Sequence, residues 1–346
     1  MPNRKAARNA IENKEIEHRK KLQTFCSLKC ALLVIFTLIC NLCCRPLKAQ
    51  NEIQYSGIAN LPIIVNPGCA GQSGSVKAIA GYRAQWVGFE DAPSTSVLGI
   101  DAEVKFLKSF HGIGAMVIYD QIGEFTDMSI CANYSYHIEL DKGLLGIGAR
   151  VGALNVAFDA SNLSPAVSGM ENDYHQESDE ALQGSDESAT AFDIGLGAFF
   201  QSKKSYLSLA LLHLTAPTLE QQSGTEISVK PLMAIGAGRL IKDGGEFTLE
   251  PRLFFKTDFA SCQFEFSGTA NIKEKVSVGL GYRLQDAIFL QVGVNLSNGL
   301  FVGYDYDISV SKLTSYNSGS HEIMVSYSFD LDIEKRTKRY KSVRIL

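Results

Sequence analysis

The stretch VSVGLGYRLQDAIFLQVGVNL, residues Val276–Leu296, alternates apolar residues with small or polar ones on both sides of a short polar turn. Side chains that repeat every second residue lie on one face of a β-strand. The stretch therefore predicts two antiparallel strands that share one continuous apolar face. In its second half this face consists of Ile288, Leu290, Val292, Val294 and Leu296.

The same period of two recurs from residue 76 to residue 329. Many segments reach about 10–12 residues, which exceeds the usual globular strand and suits a tilted strand that spans a bilayer. The other face is rich in Gly, Ser, Asn and Gln, which is typical of a polar barrel interior. The sequence predicts an all-β fold, a transmembrane antiparallel β-barrel of about 14 strands in a bacterial outer membrane. The segments begin near Val76, Ser94, Phe110, Thr126, Gly143, Ala189, Lys204, Lys230, Glu246, Ser261, Lys275, Ala287, Gly299 and Ser320.

The connections between these segments form two groups that alternate along the chain. Every even-to-odd connection is short, with the sequences LKS, DKG, SKK, KDGG, KEK and SNG. The three long connections, residues 159–188, 215–229 and 310–319, all fall in the other group. Outer-membrane barrels have short periplasmic turns and longer external loops, so the barrel is expected to start and end in the periplasm. The aromatic residues expected in its interfacial girdles are Tyr82, Tyr119, Tyr282, Tyr304, Tyr327 and Phe329.

Residues 1–49 are interpreted as an export signal that is removed from the mature protein. A basic region precedes an apolar run, CALLVIFTLICNLCC from Cys30 to Cys44, and the small residue Ala49 precedes the expected cleavage point. The run is shorter than the ~20 residues that a membrane-spanning helix needs. Residues 50–75 are then expected to form a periplasmic or plug-like segment, the barrel covers residues 76–329, and residues 330–346 form a basic periplasmic tail.

Charge and cysteine content exclude several classes of function. The leader holds 10 Lys and Arg against 3 Asp and Glu, so the remaining chain holds 23 basic and 34 acidic residues, a net charge of −11. Such an acidic exported chain is a poor candidate for binding nucleic acid. Only Cys69, Cys131 and Cys262 follow the leader, without the spacing of a disulfide framework or a zinc site. The acidic segment 159–188 lacks the spacing of a calcium loop, which favours a solvated loop.

The residues around His321 leave a hydrolase open as an alternative. Ser318 or Ser320 would be the nucleophile, and His321 with Glu322 would be the acid–base pair. However, adjacent residues of a strand point to opposite faces, whereas a catalytic triad needs converging side chains. We therefore expect two strands and their loop here, with no catalytic, cofactor-binding or metal-binding residues.

Asp305 and Asp307 are expected to face the lumen, because they alternate with Tyr304 and Tyr306 on the last-but-one strand. Charged side chains within a membrane-spanning segment occur where they form ion pairs or face a water-filled cavity. The sequence therefore predicts a lumenal ion network, with further candidate partners among the arginines of other strands. The network comprises Asp305, Asp307, Arg83 and Arg283, and the further candidates are Arg150 and Arg252.

Several stretches carry a resemblance to a known family. They are NPGCAG (Asn66–Gly71), GYRAQWVGFEDAPST (Gly81–Thr95), GIGAMVIYDQIGEFTDMSICANYSY (Gly112–Tyr136), YDYDISVSKLTSY (Tyr304–Tyr316) and SGSHEIM (Ser318–Met324). In these stretches the chain resembles the PorP/SprF family, outer-membrane proteins of the type IX secretion system of Bacteroidetes-type bacteria. The resemblance covers residues 50–329. Cys69 departs from it, since an aromatic residue is usual at that position in the family.

The resemblance implies a non-enzymatic role in secretion or surface attachment of cargo proteins, such as gliding adhesins. It implies partners among type IX cargo proteins, the periplasmic machinery with its peptidoglycan-associated protein, and outer-membrane lipid. The Gly-rich lumenal face leaves a solute porin or hydrophobic-compound channel as the alternative. The positions that carry the resemblance, and that it marks as candidate partner contacts, are Asn66, Pro67, Arg83, Trp86, Gly88, Asp120, Ser318, Gly319, His321 and Glu322.

Overall fold

A computed structural model describes residues 53–57, 61–159, 187–220, 226–242 and 246–329. Fourteen strands form one antiparallel ring, in which each strand pairs with the next one of the ring along the chain and the last strand pairs with the first. The predicted barrel is confirmed. The strands are β1 (Val76–Ala84), β2 (Ser94–Phe106), β3 (Ser109–Ile122), β4 (Phe125–Leu140), β5 (Gly143–Phe158), β6 (Glu187–Ser202), β7 (Ser205–Leu212), β10 (Leu232–Arg239), β12 (Phe247–Thr257), β13 (Cys262–Ile272), β14 (Val276–Arg283), β15 (Ala287–Asn295), β16 (Leu300–Ser309) and β17 (Ser320–Phe329).

Three short strands lie outside the ring of fourteen. Strands β8 (Thr218–Glu220) and β9 (Glu226–Ser228) form a separate hairpin, and β11 (Ile241–Lys242) extends the ladder of β12. Leu219 of the hairpin packs against Leu154 and Val156 on the inner face of β5. In the described part of the chain, no helix has the length and apolar character of a membrane-spanning helix.

The two faces of the barrel wall separate by polarity as the period of two predicts. On β15, the apolar side chains Ile288–Val294 in every second position are 38–49% exposed, while Phe289 and Gln291 between them are 0% and 7% exposed. The outward positions therefore form the lipid-facing surface. Tyrosines lie on that surface at both ends of the strands, for example Tyr282 and Tyr327, as expected for two interfacial girdles.

The two ends of the barrel differ in the length of their connections. We call the end that carries the short connections the turn end, and the opposite end the loop end. At the turn end, Leu107 and Lys108 both have positive φ, 47° and 65°, and form a two-residue link between β2 and β3. Such a turn matches the twist of the flanking strands. The described residues 213–220, 226–231 and 310–319, which belong to two of the three long connections, lie at the loop end.

Residues 53–57 and 61–75, which we call the plug, lie inside the barrel. The plug contains one helical turn, α1 (Pro62–Val65), and a 3-10 turn (Pro67–Cys69). Near its start, Gln54 donates a hydrogen bond to Asp286 at the loop end, and near its finish Gly71 donates to Asp101 in the turn-end half. The plug therefore runs down the lumen before β1 begins at the turn end. Its apolar side chains form a core with Ile79, Val97, Met116, Ile118, Phe199, Phe301 and Met324 of the wall.

Glycines on the lumenal face leave room for the plug backbone. A Cβ atom at Gly148 would lie 2.5 Å from the carbonyl oxygen of Pro67, and one at Gly112 would overlap the carbonyl group of Ala70. Interpreted from sequence, these glycines indicated a polar lumen. The structure adds a second reason for them, which is close approach between two backbones.

The substitution Gly112→Ala is expected to destabilise the barrel by about 1–3 kcal/mol, because the new methyl group meets fixed backbone atoms. Gly268→Ala is the matched control, since no atom lies within 4 Å of a Cβ at this lipid-facing position. The control is expected to leave stability unchanged or slightly higher. The measurement is the temperature at which the purified barrel loses its fast, folded migration in a detergent gel. Equal transition temperatures for the two variants would contradict this account of Gly112.

Candidate functional site

Asn66 fastens the plug to the barrel wall near the turn end. Its Oδ1 atom accepts a hydrogen bond of 2.8 Å from the Gly68 N–H and so caps the 3-10 turn. Its Nδ2 group donates to the Ser208 hydroxyl at 2.8 Å and to the Ala198 carbonyl oxygen at 3.0 Å. Pro67 at the first position of that turn fixes φ. The Asn66–Pro67 pair is thus an anchor for the plug, with both residues fully enclosed.

Two arginines and a carboxylate form the centre of a lumenal ion network near the loop end. Arg83 Nη2 lies 2.8 Å from Asp307 Oδ2, and Arg283 Nη1 lies 3.1 Å from the same oxygen. Arg283 also lies 3.3 Å from Glu265 and 3.1 Å from Asp286. Arg83, Arg283 and Asp307 are each at most 2% exposed. Buried charges are retained where they are paired and hydrogen-bonded in this way.

Glu322 joins this network through the neighbouring strand. It is the cross-strand partner of both Arg83 and Asp305. Arg83 Nη1 lies 3.3 Å from Glu322 Oε2. We call Arg83, Arg283, Asp305, Asp307 and Glu322 the latch. The sequence analysis names Arg83, Arg283, Asp305 and Asp307 as a network, and it does not include Glu322.

The latch holds the first described residues of the plug. Glu322 accepts hydrogen bonds of 2.9 Å from the backbone N–H groups of Ser56 and Gly57 through its two oxygens. The Ser56 hydroxyl donates to Asp307 at 2.7 Å and accepts from Arg283 Nη2 at 2.9 Å. Charge-assisted bonds such as these are stronger than neutral ones. The latch therefore binds both the backbone and the serine hydroxyl of the Ser56–Gly57 pair.

Other lumenal side chains complete the contacts of this segment. Gln291 Nε2 donates to the Ser56 carbonyl oxygen at 3.0 Å, and Lys256 Nζ donates to the Ile53 carbonyl oxygen at 3.1 Å. Sequence analysis did not single out Ser56, Gln291, Lys256, Glu265 or Asp286. Their only sequence signal is their position on the lumenal face of a strand or beside it.

The two further candidate arginines lie elsewhere in the lumen. Arg150 donates to Asn133 at 2.9 Å and to the carbonyl oxygen of Ile63 in the plug. Arg252 pairs with Glu250 at 3.0 Å. Parity places all four arginines inside the barrel, and Arg150 and Arg252 have these further partners there.

Trp86, Gly88, Ser318 and Gly319 come together where two loops meet at the loop end. Val87 donates a backbone hydrogen bond to the Gly319 carbonyl oxygen at 2.8 Å and accepts one from the Ser318 N–H at 2.7 Å. The Trp86 N–H donates to the Ser320 hydroxyl at 3.1 Å. Gly88 has φ +96°, a value that favours glycine. Asp120 lies on the adjoining wall, where it accepts a hydrogen bond from Thr95.

Ser320, His321 and Glu322 do not converge on a common point. Ser320 and Glu322 face the lumen with 2% and 1% exposure. His321 alternates with them, and its Nδ1 atom lies 2.6 Å from the hydroxyl of the outward-facing Tyr304. This arrangement suits an interfacial aromatic girdle. In the described ranges no group of three or more His, Cys, Asp or Glu side chains could hold a metal ion, and residues 160–186 of the acidic segment lie outside those ranges.

A cavity of about 40 Å³ lies between the plug and the wall, lined by Pro62, Val65, Phe199, Tyr206 and Arg252 among others. Sites for small organic ligands are typically about 300–1,000 Å³, so this cavity is too small for a drug-sized solute.

Comparison with solved structures finds other outer-membrane barrels at low sequence identity. The toluene transporter TbuX of Ralstonia pickettii is 12% identical, with a TM-score of 0.47, over 79% of this chain and 94% of its own. Omp33 of Acinetobacter baumannii is 9% identical, with a TM-score of 0.43, over 75% and 100%. A FadL homologue of Pseudomonas aeruginosa is 9% identical, with a TM-score of 0.44, over 77% and 92%. No curated protein matches the chain.

The family comparison covers most of the sequence. The profile described as "Type IX secretion system membrane protein PorP/SprF" matches residues 47–327, which include the plug anchor, the latch and the loop junction. The protein is an outer-membrane β-barrel. The chain belongs to the PorP/SprF family of type IX secretion system membrane proteins.

Proposed function

We propose that this barrel is a non-enzymatic outer-membrane component that aids secretion or surface attachment of type IX cargo proteins, such as gliding adhesins. The observation that carries the proposal is the family match over residues 47–327. The plug supports it, because backbone that lies in the lumen and is bound to the wall at the anchor and at the latch obstructs passive passage of solutes. The diverging side chains of Ser320, His321 and Glu322 count against the hydrolase alternative.

We place the cargo contact on the two loops that meet at the loop end. Phe89 and Tyr316, one in each loop, are 47% and 70% exposed. Val87, two residues before Phe89, is also exposed. Aromatic side chains on an exposed surface are enriched at protein–protein contacts. This surface faces the outside of the cell when the short turns face the periplasm.

We assign the periplasmic contacts to the turn end. Phe329, the last described residue, lies there, so the basic segment 330–346 starts in the periplasm. That segment is a docking candidate for the periplasmic type IX machinery, including its peptidoglycan-associated protein. Residues 1–49, outside the described ranges, act as the export signal in this proposal.

Deletion of the gene is expected to remove a small set of proteins from the cell surface and to leave them inside the cell. The measurement compares surface, secreted and cell-associated proteomes of the parent and the deletion strain. Proteins with type IX C-terminal signals should dominate the set that changes. Restoring the wild-type gene should restore their display.

The double substitution Phe89→Ser and Tyr316→Ser is the matched test of the loop surface. It is expected to leave the amount of folded barrel unchanged and to reproduce the loss of displayed cargo. An unchanged surface proteome in the deletion strain would contradict the proposed secretion role. Normal display with the double variant would contradict only the assignment of the contact to these loops.

A further inference from the structure

We infer that the loop-end half of the lumen is a peptide-binding site for a short segment in which a serine precedes a glycine. Residues 53–57 occupy this site in the structure. A second segment of the same chemistry, supplied by another molecule from the loop end, can take their place. The inference concerns the lumen alone and does not depend on the proposed secretion role.

The site accepts hydrogen bonds from backbone N–H groups of the peptide and donates hydrogen bonds to its backbone carbonyl oxygens. The two oxygens of Glu322 accept the N–H groups of two successive residues, Ser56 and Gly57, each at 2.9 Å. Gln291 and Lys256 donate to the carbonyl oxygens of Ser56 and Ile53. Main-chain bonds of this kind give affinity to extended peptides without fixing their sequence.

Charged side chains of the latch recognise the serine hydroxyl. The Ser56 hydroxyl contacts both oxygens of Asp307, at 2.7 and 2.8 Å, and both arginines of the latch. Ser56 itself is 2% exposed. A side chain without a hydroxyl would leave Asp307 without that donor, and hydrogen bonds to charged groups contribute about 1.5–3 kcal/mol. The site therefore distinguishes serine from alanine at this position.

The site selects glycine at the next position because a Cβ atom there would meet neighbouring side chains. A Cβ atom on residue 57 would lie 2.6 Å from both Asp305 Oδ2 and Glu322 Oε1, and it would overlap the end of the Met324 side chain. Two of these three atoms belong to the ion network, whose carboxylates are held by cross-strand neighbours. Any residue larger than glycine therefore displaces the carboxylate that binds the backbone.

The first residues of the segment lie at the loop end of the lumen, where Gln54 contacts Asp286 in the connection between β14 and β15 at 2.7 Å. The other end of the plug is held separately by Asn66, whose contacts lie on β6 and β7. A competing segment therefore has to replace the contacts of the latch and those of Tyr55, which is buried and donates to the Thr95 carbonyl oxygen, but not those of the anchor.

The test uses the purified barrel and a fluorescein-labelled, capped peptide of sequence EIQYSGIA, which corresponds to residues 52–59. A barrel that lacks residues 50–57 is expected to bind this peptide. The intact barrel is expected to bind it at least about 100-fold more weakly, since its own segment competes at an effective concentration in the mM range. Fluorescence anisotropy measures both affinities, and heat-dependent migration in a detergent gel confirms that each barrel is folded.

Two control peptides and two barrel variants test the recognition. EIQYAGIA is expected to bind the truncated barrel at least about tenfold more weakly, and EIQYSAIA is expected not to bind. Glu322→Gln in the truncated barrel should abolish binding of EIQYSGIA. The full-length variant Gly57→Ala, which cannot seat its own segment, should bind EIQYSGIA and serves if the truncated barrel does not fold.

Three results would overturn the inference. The first is a folded truncated or Gly57→Ala barrel that does not bind EIQYSGIA. The second is equal affinity of the truncated barrel for EIQYSGIA and EIQYSAIA. The third is an intact barrel that binds as tightly as the truncated one. None of these results would bear on the surface proteome, so failure here and failure of the secretion role are distinguishable.

Discussion

A barrel that lacks residues 50–75 is expected to conduct ions, whereas the intact protein is expected to remain closed. The plug lies in the lumen, where its apolar residues form a core with wall residues such as Phe199 and Met324. Barrels with more strands than the 8-stranded type enclose a progressively wider interior. Without the plug, this 14-stranded wall should therefore enclose a water-filled channel.

The open channel is expected to prefer cations. Near the loop end, the carboxylates of Asp305, Asp307, Glu322, Glu265 and Asp286 outnumber the guanidinium groups of Arg83 and Arg283. Acidic rings select cations in channels. Single-channel recording in planar bilayers measures both conductance and selectivity, with the intact protein and Gly268→Ala as closed controls. Equal conductance before and after removal of the plug would show that the plug does not seal the lumen and would revive the porin alternative.

The substitution Arg283→Ala is expected to lower the free energy of unfolding by about 3–5 kcal/mol, because it leaves buried carboxylates without a partner. Arg283 contacts Asp307, Glu265 and Asp286 at 3.1–3.3 Å while it is itself 1% exposed. The measurement is equilibrium unfolding of the purified barrel in urea. A loss of this size is a large fraction of the stability of an ordinary domain.

Lys273→Ala is the matched control for this ion network. Lys273 also forms an ion pair, with Glu246 at 3.1 Å, but the two side chains are 62% and 71% exposed. Exposed pairs contribute about 0–1 kcal/mol because water and salt screen them. The control should change stability by less than about 1 kcal/mol. Comparable losses for the two variants would contradict the view that burial makes the Arg283 contacts important.

The strands were predictable because their pattern is local. Predicted starts such as Phe110, Ala189 and Lys230 lie within two residues of the observed starts of β3, β6 and β10. Each lipid-facing strand shows the period of two in its own sequence, so the strand can be identified without knowing which strands pair with it. The side of the wall on which Asp305 and Asp307 lie follows from the same pattern.

The contents of the lumen were less predictable because they depend on how the strands are staggered. Arg83, Arg150, Arg252 and Arg283 are equivalent by parity, yet Arg83 and Arg283 pair with Asp307, whereas Arg150 donates to Asn133 and Arg252 pairs with Glu250. The role of Ser56 depends on contacts with residues more than 220 positions away, which no local pattern encodes. Likewise, the reason for a glycine at a position such as 112 becomes clear only once the position of the plug backbone is known.

The latch spans the joint between the first and last strands, and this position affects the order of assembly. Arg83 on β1 meets Glu322 on β17 across 239 positions of the chain, and Ser56 meets Glu322 across 266. Contacts between such distant positions form slowly during folding. Because the same carboxylate joins the two strands and holds the plug, ring closure and enclosure of the plug become one cooperative, late step. The newly exported chain therefore completes its wall and seals its interior at the same moment.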